Sequence, residues 1–533
     1  MPASVAHFST ADKSLFSGVR LQLVSVDVLQ ALGFVSGDDS EDESSLTIIS
    51  PNARALPPAH VVVVAATPGP DGIVADDVGI RLAAAYRIDL SRRLRRADAK
   101  GKAGELISVE LEDDVTEQLI VLGLGDGGAA AAREAGARLA GRIDSSELVL
   151  CDVTATLSRP SFRAFCEGLL LASYKFSRKT SQPPKKPVTV QLAVAAVASS
   201  QDVLNEAIST AHAVFLAREL ANRPSNEKDP AWLAGQARAI GKAAGLRVRV
   251  IDEAGLERGG FGGLLAVGRG SKNPPRLIIL DHRGEAGGPN VVLVGKGVTF
   301  DSGGLSIKPA DGMPLMKTDM SGAAAVLAVM SALPELGVTA NVTGILACAE
   351  NMPGGDAYRP GDIVRHFDGR TSEVFNTDAE GRMVLADAIA YAAGRLRPDV
   401  IVDIATLTGA ATMGLSRHYG ALYATDEGLA HALELAGSRS NDPLWRMPLV
   451  EEYRSSLDSS IADISHVSRT KVNGGSITAA LFLREFTGGK RWAHLDIAGP
   501  GRAESARAEL TRGATGFGVR VLLRWLESSP NLW

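Results

Sequence analysis

From Val291 to Val326 the chain reads VVLVGKGVTFDSGGLSIKPADGMPLMKTDMSGAAAV, so Lys296, Asp301, Lys308 and Asp319 fall within twenty-four residues, behind an apolar run. Fifty-nine residues after Asp319, the stretch NTDAEGR adds Asp378, Glu380 and Arg382 at alternate positions. Alternate side chains of an extended segment share one face, which would bring two carboxylates and a guanidinium together. Four carboxylates gathered in glycine-rich, apolar surroundings repel one another unless cations sit among them. Oxygen-rich ligation suits a pair of divalent ions: Mn²⁺, Zn²⁺ or Mg²⁺. A lysine can join such a set only as the neutral amine, which nearby metal charge favours by lowering its pKa. Any one of these acids alone reads more readily as a helix cap or a solvated charge. Their clustering is what argues for a metal centre.

The elements that must position these residues can be read from the apolar pattern. Val291–Val294 predicts a buried strand, and charged residues just past the end of such a strand lie where open α/β sheets hold ligands. Glycines at 295, 297, 303 and 304 allow sharp turns there. Leu246–Ile251, Leu277–Leu280, Val342–Leu346 and Val400–Ala405 read as further strands, with helices from Gly322 and over Leu385–Arg395. This alternation predicts an α/β domain with a mixed, mostly parallel sheet flanked by helices.

Upstream, Leu21–Val28, His60–Ala66, Gln118–Leu122 and Val188–Ala196 read as strands, and Leu82–Leu94 and Ala129–Ala140 as helices, which predicts a smaller α/β domain. Asp38–Ser45 and the Pro-broken, basic Lys175–Pro187 read as loops. Apolar residues at helical spacing from Gln201 to Asn222 predict a connecting helix. The expected division is an accessory domain over 1–199, a helix and linker over 200–225 and a larger domain bearing the charged cluster over 226–533.

Composition narrows the function classes. The chain has 533 residues, 45% hydrophobic and 22% charged, which describes a globular protein of more than one domain. Its net charge of −5 gives no footprint of a protein that grips a polyanion. No apolar run approaches the roughly 18 residues of a membrane span, and MPASVAHFST lacks the apolar core of a secretory signal, so a cytoplasmic setting is expected. Cys151, Cys166 and Cys348 read as separate buried thiols.

Weaker signals take structural readings. Gly123-Leu-Gly125-Asp-Gly-Gly128 matches a dinucleotide fingerprint formally, but a tight strand-to-helix turn explains it at less cost in a chain with 56 glycines. Arg92, Arg93, Arg95 and Arg96 read as a solvated helix face. His60, His212 and His494 read as packing or hydrogen-bonding residues. The chain has no H-E-x-x-H, Cys-x-x-Cys or G-x-S-x-G.

Together VGKGVTFDSGGLSIKP, MKTDMSGAAAV, NTDAEGR and DIATLTGA strongly resemble the leucyl aminopeptidases, the cytosol aminopeptidase family of dinuclear metallopeptidases. The likeness runs from about Leu216 to the end, taking in LARELANRPSN and WAHLDIAG, and is looser over the first two hundred residues. It implies a macro-domain-like N-terminal domain, and two metals that share Asp301 and Glu380. One metal would add Asp378, the other Lys296 and Asp319. It further implies a metal-bridging water as nucleophile, Lys308 as electrophile toward the oxyanion, and Arg382 holding a bicarbonate base. Met316, Thr406, Leu407 and Gly409 would line the substrate pocket. The expected activity is removal of leucine-like N-terminal residues from peptides by a homohexamer. A dipeptidase or Cys-Gly hydrolase with the same site, and a DNA-binding role, are the alternatives.

Overall fold

The structure is a computed structural model describing residues 19–24, 34–36, 46–48, 59–70, 72–112, 116–143, 148–153, 157–181, 188–194, 197–470 and 472–528. The loop predicted over Asp38–Ser45 and the end of the first predicted strand lie outside them. The chain divides into two compact units, one of Lys13–Ala211 with Ala506–Thr511, the other chiefly His212–Ser505 and Arg512–Trp533. The division falls inside the helix Val197–Asn222. No helix among the described residues is long and apolar enough to cross a membrane.

In the N-terminal unit a seven-stranded sheet has the order Val19–Val24, Val188–Ala193, Leu148–Asp152, Val61–Gly69, Gln118–Gly123, Leu106–Glu110, with Gly72–Ala75 beside Val61–Gly69. The first five strands run parallel. The helix expected over Leu82–Leu94 is two helices, Asp77–Ala85 and Leu90–Arg96. Arg87 breaks it with a φ of 56°, and Asp89 caps the second helix by accepting from Arg92 N at 2.8 Å. The four arginines of that helix are exposed while Leu90 and Leu94 face inward. The fingerprint glycines serve the turn: Gly125 and Gly127 have φ of 59° and 71°, and a Cβ on Gly123 would lie 2.2 Å from Lys102 O. All three cysteines are free and buried.

The second unit is built on an eight-stranded sheet, in the order Arg247–Ile251, Arg276–His282, Asn341–Asn351, Asn290–Asp301, Val400–Ala405, Arg491–Asp496, Gly420–Ala424, Leu444–Arg446. The four strands from Asn341–Asn351 to Arg491–Asp496 are parallel. Antiparallel pairings flank them on both sides. Asn290–Asp301 pairs with a later strand on each edge, so the chain leaves it in opposite directions, and ligands of α/β sheets collect at such a point.

This strand runs farther than its apolar pattern suggested. Lys296 lies inside it, and its register with Asn341–Asn351 shifts between Val298 and Asp301. Such an irregularity re-aims the side chains beyond it. Gly295 and Gly297 let the wholly buried helix Ser321–Ala332 come close: a Cβ on Gly295 would meet Ala323 Cα at 2.6 Å. Alternation then sends Lys296 to the opposite face of the sheet. The helix that begins with Glu380 reaches to Arg395, starting five residues earlier than expected.

A three-stranded sheet of Ile363–Arg365, Thr371–Glu373 and Ile464–Ser465 is followed by His466, which is fully buried. His466 Nδ1 lies 3.2 Å from Phe375 N and 3.1 Å from Glu373 O, and Nε2 lies 2.8 Å from Asn376 O, so backbone groups hold the ring on both sides.

Gly322 sits where its Cβ would lie 2.1 Å from Ile404 O and 2.9 Å from Lys296 N, both backbone atoms. Gly322→Ala is therefore expected to lower urea-unfolding stability by about 3 kcal/mol, and a loss below about 0.5 kcal/mol would contradict this packing. Burial, helped by the Arg382 charge, pulls the His466 pKa down to about 4. Unfolded histidine titrates near ~6.5, so between the two values the unfolded chain binds a proton that the folded chain refuses. Stability from this residue is complete above the upper value and falls as pH drops toward the lower, by up to about 1.4 kcal/mol per pH unit. Urea midpoints of His466→Gln should decline less steeply from pH 7 to pH 5 than those of the parent; parallel declines would refute the assignment.

Candidate metal centre

The carboxyl ends of the four parallel strands supply the frame. Asp301 and Asn351 end two of them, Thr406 follows Ala405, and Asp496 ends the fourth. Lys296, Asp301, Asp319, Glu380 and Arg382 are all buried. Lys296 Nζ lies 2.8 Å from Asp319 Oδ2 and 2.8 Å from Glu380 Oε1, and donates to Thr406 O at 2.9 Å. Lys308 Nζ lies 2.7 Å from Asp301 Oδ2 and also pairs with Asp378 Oδ1. Ligand oxygens of Asp301, Asp378 and Glu380 all fall within 4.8 Å of one another.

The acids are held above the usual carboxylate range. Burial raises Asp301, Asp319 and Asp378, and neighbouring carboxylates raise them further, against the pull of the lysines. Burial also pulls both lysines down, but the carboxylates outweigh it and both end above their ordinary value. Both shifts have one meaning: the cluster holds more negative charge than two ammonium groups balance. Glu380 Oε2 is buried without a hydrogen-bond partner. Asp319 Oδ2 and Asp378 Oδ1 have a lysine nearby but lack hydrogen-bond geometry. This oxygen-rich donor set fits divalent cations.

The segment 378–382 is not extended, as its alternation had suggested. Asp378 lies in a turn, whereas Glu380 and Arg382 occupy the first turn of the helix Glu380–Arg395. Tertiary packing, not strand alternation, makes the two carboxylates converge. Gly381 has to be glycine for the same reason, since a Cβ there would lie 2.6 Å from Lys296 Cε and 2.9 Å from Leu407 Cδ1. Arg382 donates from Nη1 to His466 O at 2.8 Å, and its Nε is buried without a partner. Burial pulls its guanidinium down to about 10, against the charges of Glu380 and Asp496.

The predicted pocket residues are placed unequally. Thr406 Oγ1 donates to Asp319 Oδ1 at 2.7 Å. Leu407 reaches Gly381. Met316, half-buried in the 3₁₀ turn Met313–Thr318, precedes Asp319 by one turn. Gly409 is exposed and opens the helix Gly409–Leu415 behind its cap, Thr408.

Several organising residues had no local sequence signal. Asn351 Nδ2 donates to Asp301 Oδ1 at 2.8 Å and to Thr377 O at 3.0 Å. Tyr358 donates to the same carbonyl at 2.8 Å, and Thr377 Oγ1 donates to Gly303 O at 2.7 Å. Asp496 accepts from Leu407 N, Thr408 N and Thr408 Oγ1 at 3.1, 3.0 and 2.6 Å, which fixes the loop beside Lys296.

Known proteins share this arrangement of domains and motifs. The model of the cytosol aminopeptidase family, catalytic domain, matches residues 215–523, and that of its N-terminal domain matches 63–183. A probable cytosol aminopeptidase of Pseudomonas syringae pv. tomato is 41% identical over 82% of this chain and 90% of its own. One from Roseiflexus castenholzii is 46% identical over 68% of this chain and 75% of its own. Among solved structures, the bottromycin maturation enzyme BotP in complex with Mn is 36% identical, with a TM-score of 0.78 over 88% of this chain and 99% of that one. A tomato leucine aminopeptidase mutant is 29% identical, with a TM-score of 0.81 over 96% of each chain. The carboxylate cluster thus sits within a matched catalytic domain of a metal-dependent peptidase family, and the chain belongs to the cytosol aminopeptidases.

Proposed function

We propose that this aminopeptidase removes leucine-like N-terminal residues from peptides at a two-metal site. The observation that carries the reading is charge: four carboxylates against two lysines leave an excess of two negative charges, with a buried Glu380 oxygen unpartnered. Asp301 and Glu380 each act electrostatically on both lysines, which supports them as the ligands shared by two ions. Asp378 would complete the ligand set of one ion, Lys296 and Asp319 that of the other. Two divalent cations, Mn²⁺, Zn²⁺ or Mg²⁺, would supply Lewis acidity at the scissile carbonyl and acidify water toward neutral pH.

The chain's own groups do the remaining work. Lys308 has 18% of its side chain exposed against 3% for Lys296, so it is the lysine able to meet substrate. A fixed donor at a developing oxyanion contributes roughly 3 kcal/mol. Arg382 would hold bicarbonate along the guanidinium edge that includes its unpartnered Nε, and so fix where the proton of the attacking water goes. Met316 and Leu407 would wall the pocket for an apolar side chain, with Thr406 and Gly409 shaping its loop. The reading includes a homohexamer and a cytoplasmic setting, both carried by family resemblance.

Glu380→Gln should abolish hydrolysis of a leucine anilide while leaving circular dichroism unchanged; activity that survives would remove the two-metal assignment. Lys308→Met should lower kcat by about 10²- to 10³-fold with KM little changed. A change confined to KM would assign Lys308 to ground-state binding instead.

A further inference from the structure

The stretch LARELANRPSNEKD, from Leu216 to Asp229, carries buried polar residues that the proposed chemistry leaves unused. Arg218 Nε donates to Thr515 O at 2.8 Å, and Asn222 Oδ1 accepts from Ala514 N at 2.9 Å. Ser225 Oγ donates to Thr299 O at 2.8 Å, inside the strand that carries Lys296 and Asp301. Lys228 is fully buried, and its Nζ donates to Leu220 O at 2.9 Å, Ala221 O at 3.0 Å and Lys317 O at 2.6 Å.

Three carbonyl acceptors call on all three N–H groups of an ammonium, while burial and the charges of Lys317 and Arg223 hold the Lys228 pKa well below the ordinary lysine value. The side chain has no ion pair among the described residues; two of its acceptors belong to the last turn of the helix Val197–Asn222, the negative end of that dipole. A buried cation without a counter-charge is costly where a methionine would fill similar space. Its third acceptor gives it a task. Lys317 lies in the turn Met313–Thr318, and Asp319 N donates back to Met316 O at 3.2 Å. Thr318 Oγ1 donates to Leu315 O at 2.8 Å and Ser321 Oγ to Thr318 O at 2.6 Å, so the turn moves as one piece.

We infer that Lys228 is a positioning residue: by clamping Lys317 O it sets the turn that carries Met316 and Asp319, and through it one metal site and the selectivity of the pocket. The inference rests on the site reading above. It is tested on the full chain with Lys228→Met, Lys228→Arg and Asp319→Asn, using calorimetric titration of the metal-free protein with Mn²⁺. The kcat/KM ratio for leucine over alanine anilide is the second readout. Folded Lys228→Met should bind one of two Mn²⁺ ions at least about tenfold more weakly. Its leucine-to-alanine ratio should also move, and Lys228→Arg, which keeps a cationic donor, should recover part of both. Unchanged Mn²⁺ binding and ratio in Lys228→Met, beside a lost ion in Asp319→Asn, would overturn this inference alone. Should Lys228→Met fail to fold, parent-like binding and ratio in Lys228→Arg support the clamp, and losses that only track the folded fraction overturn it. Two ions retained by Asp319→Asn would remove the site reading and this inference with it.

Discussion

Four acids around one buried and one partly exposed ammonium group form the interaction on which the rest of this molecule depends. Lys296 is shared by Asp319 and Glu380, and Lys308 by Asp301 and Asp378. Neither lysine satisfies its pair, which is why burial and mutual repulsion leave three of the acids raised. Such a cluster is unfavourable in isolation and is retained by a fold that over-determines it. Cations convert the same excess of charge into binding energy.

The scaffold meets that demand with space. Glycine occurs wherever an element must approach the cluster by backbone: Gly295 and Gly322 where helix meets strand, and Gly381 where Lys296 crosses the start of the helix Glu380–Arg395. Gly303, at a φ of 87°, turns the chain beside Asp378 after Asp301 has been re-aimed by the register shift. Part of the glycine content is therefore clearance for charged side chains and not turn chemistry.

A further layer keeps the oxygens pointed. Asn351 and Gly303 N fix one oxygen of Asp301, Thr406 fixes one of Asp319, and Asp496 holds the Thr406–Thr408 loop. His466 joins the 375–376 backbone to Arg382 through ring and carbonyl. Oriented carboxylates lose little freedom on taking a ligand, which is how such partners raise affinity without touching it. Lys228 does the same for the turn before Asp319 from beneath the backbone.

The sequence by itself determined which residues are charged within an apolar, glycine-rich run, and their spacing was enough to name the cluster, the family and the α/β class. Those features are local, written as periodicity and motif. It misread geometry wherever a distant neighbour decides. Lys296 belongs to a strand because flanking strands pair it, and Glu380 and Arg382 sit in a helix whose Gly381 must clear a lysine eighty-five residues away in the chain. Leu82–Leu94 broke in two at Arg87, a left-handed residue that periodicity cannot show. Asn351, Asp496, His466 and Lys228 are ordinary polar residues until folding buries them against particular carbonyls and carboxylates. Tertiary structure alone makes those pairings, because hydrogen-bond partners scores of residues apart leave no pattern in the chain.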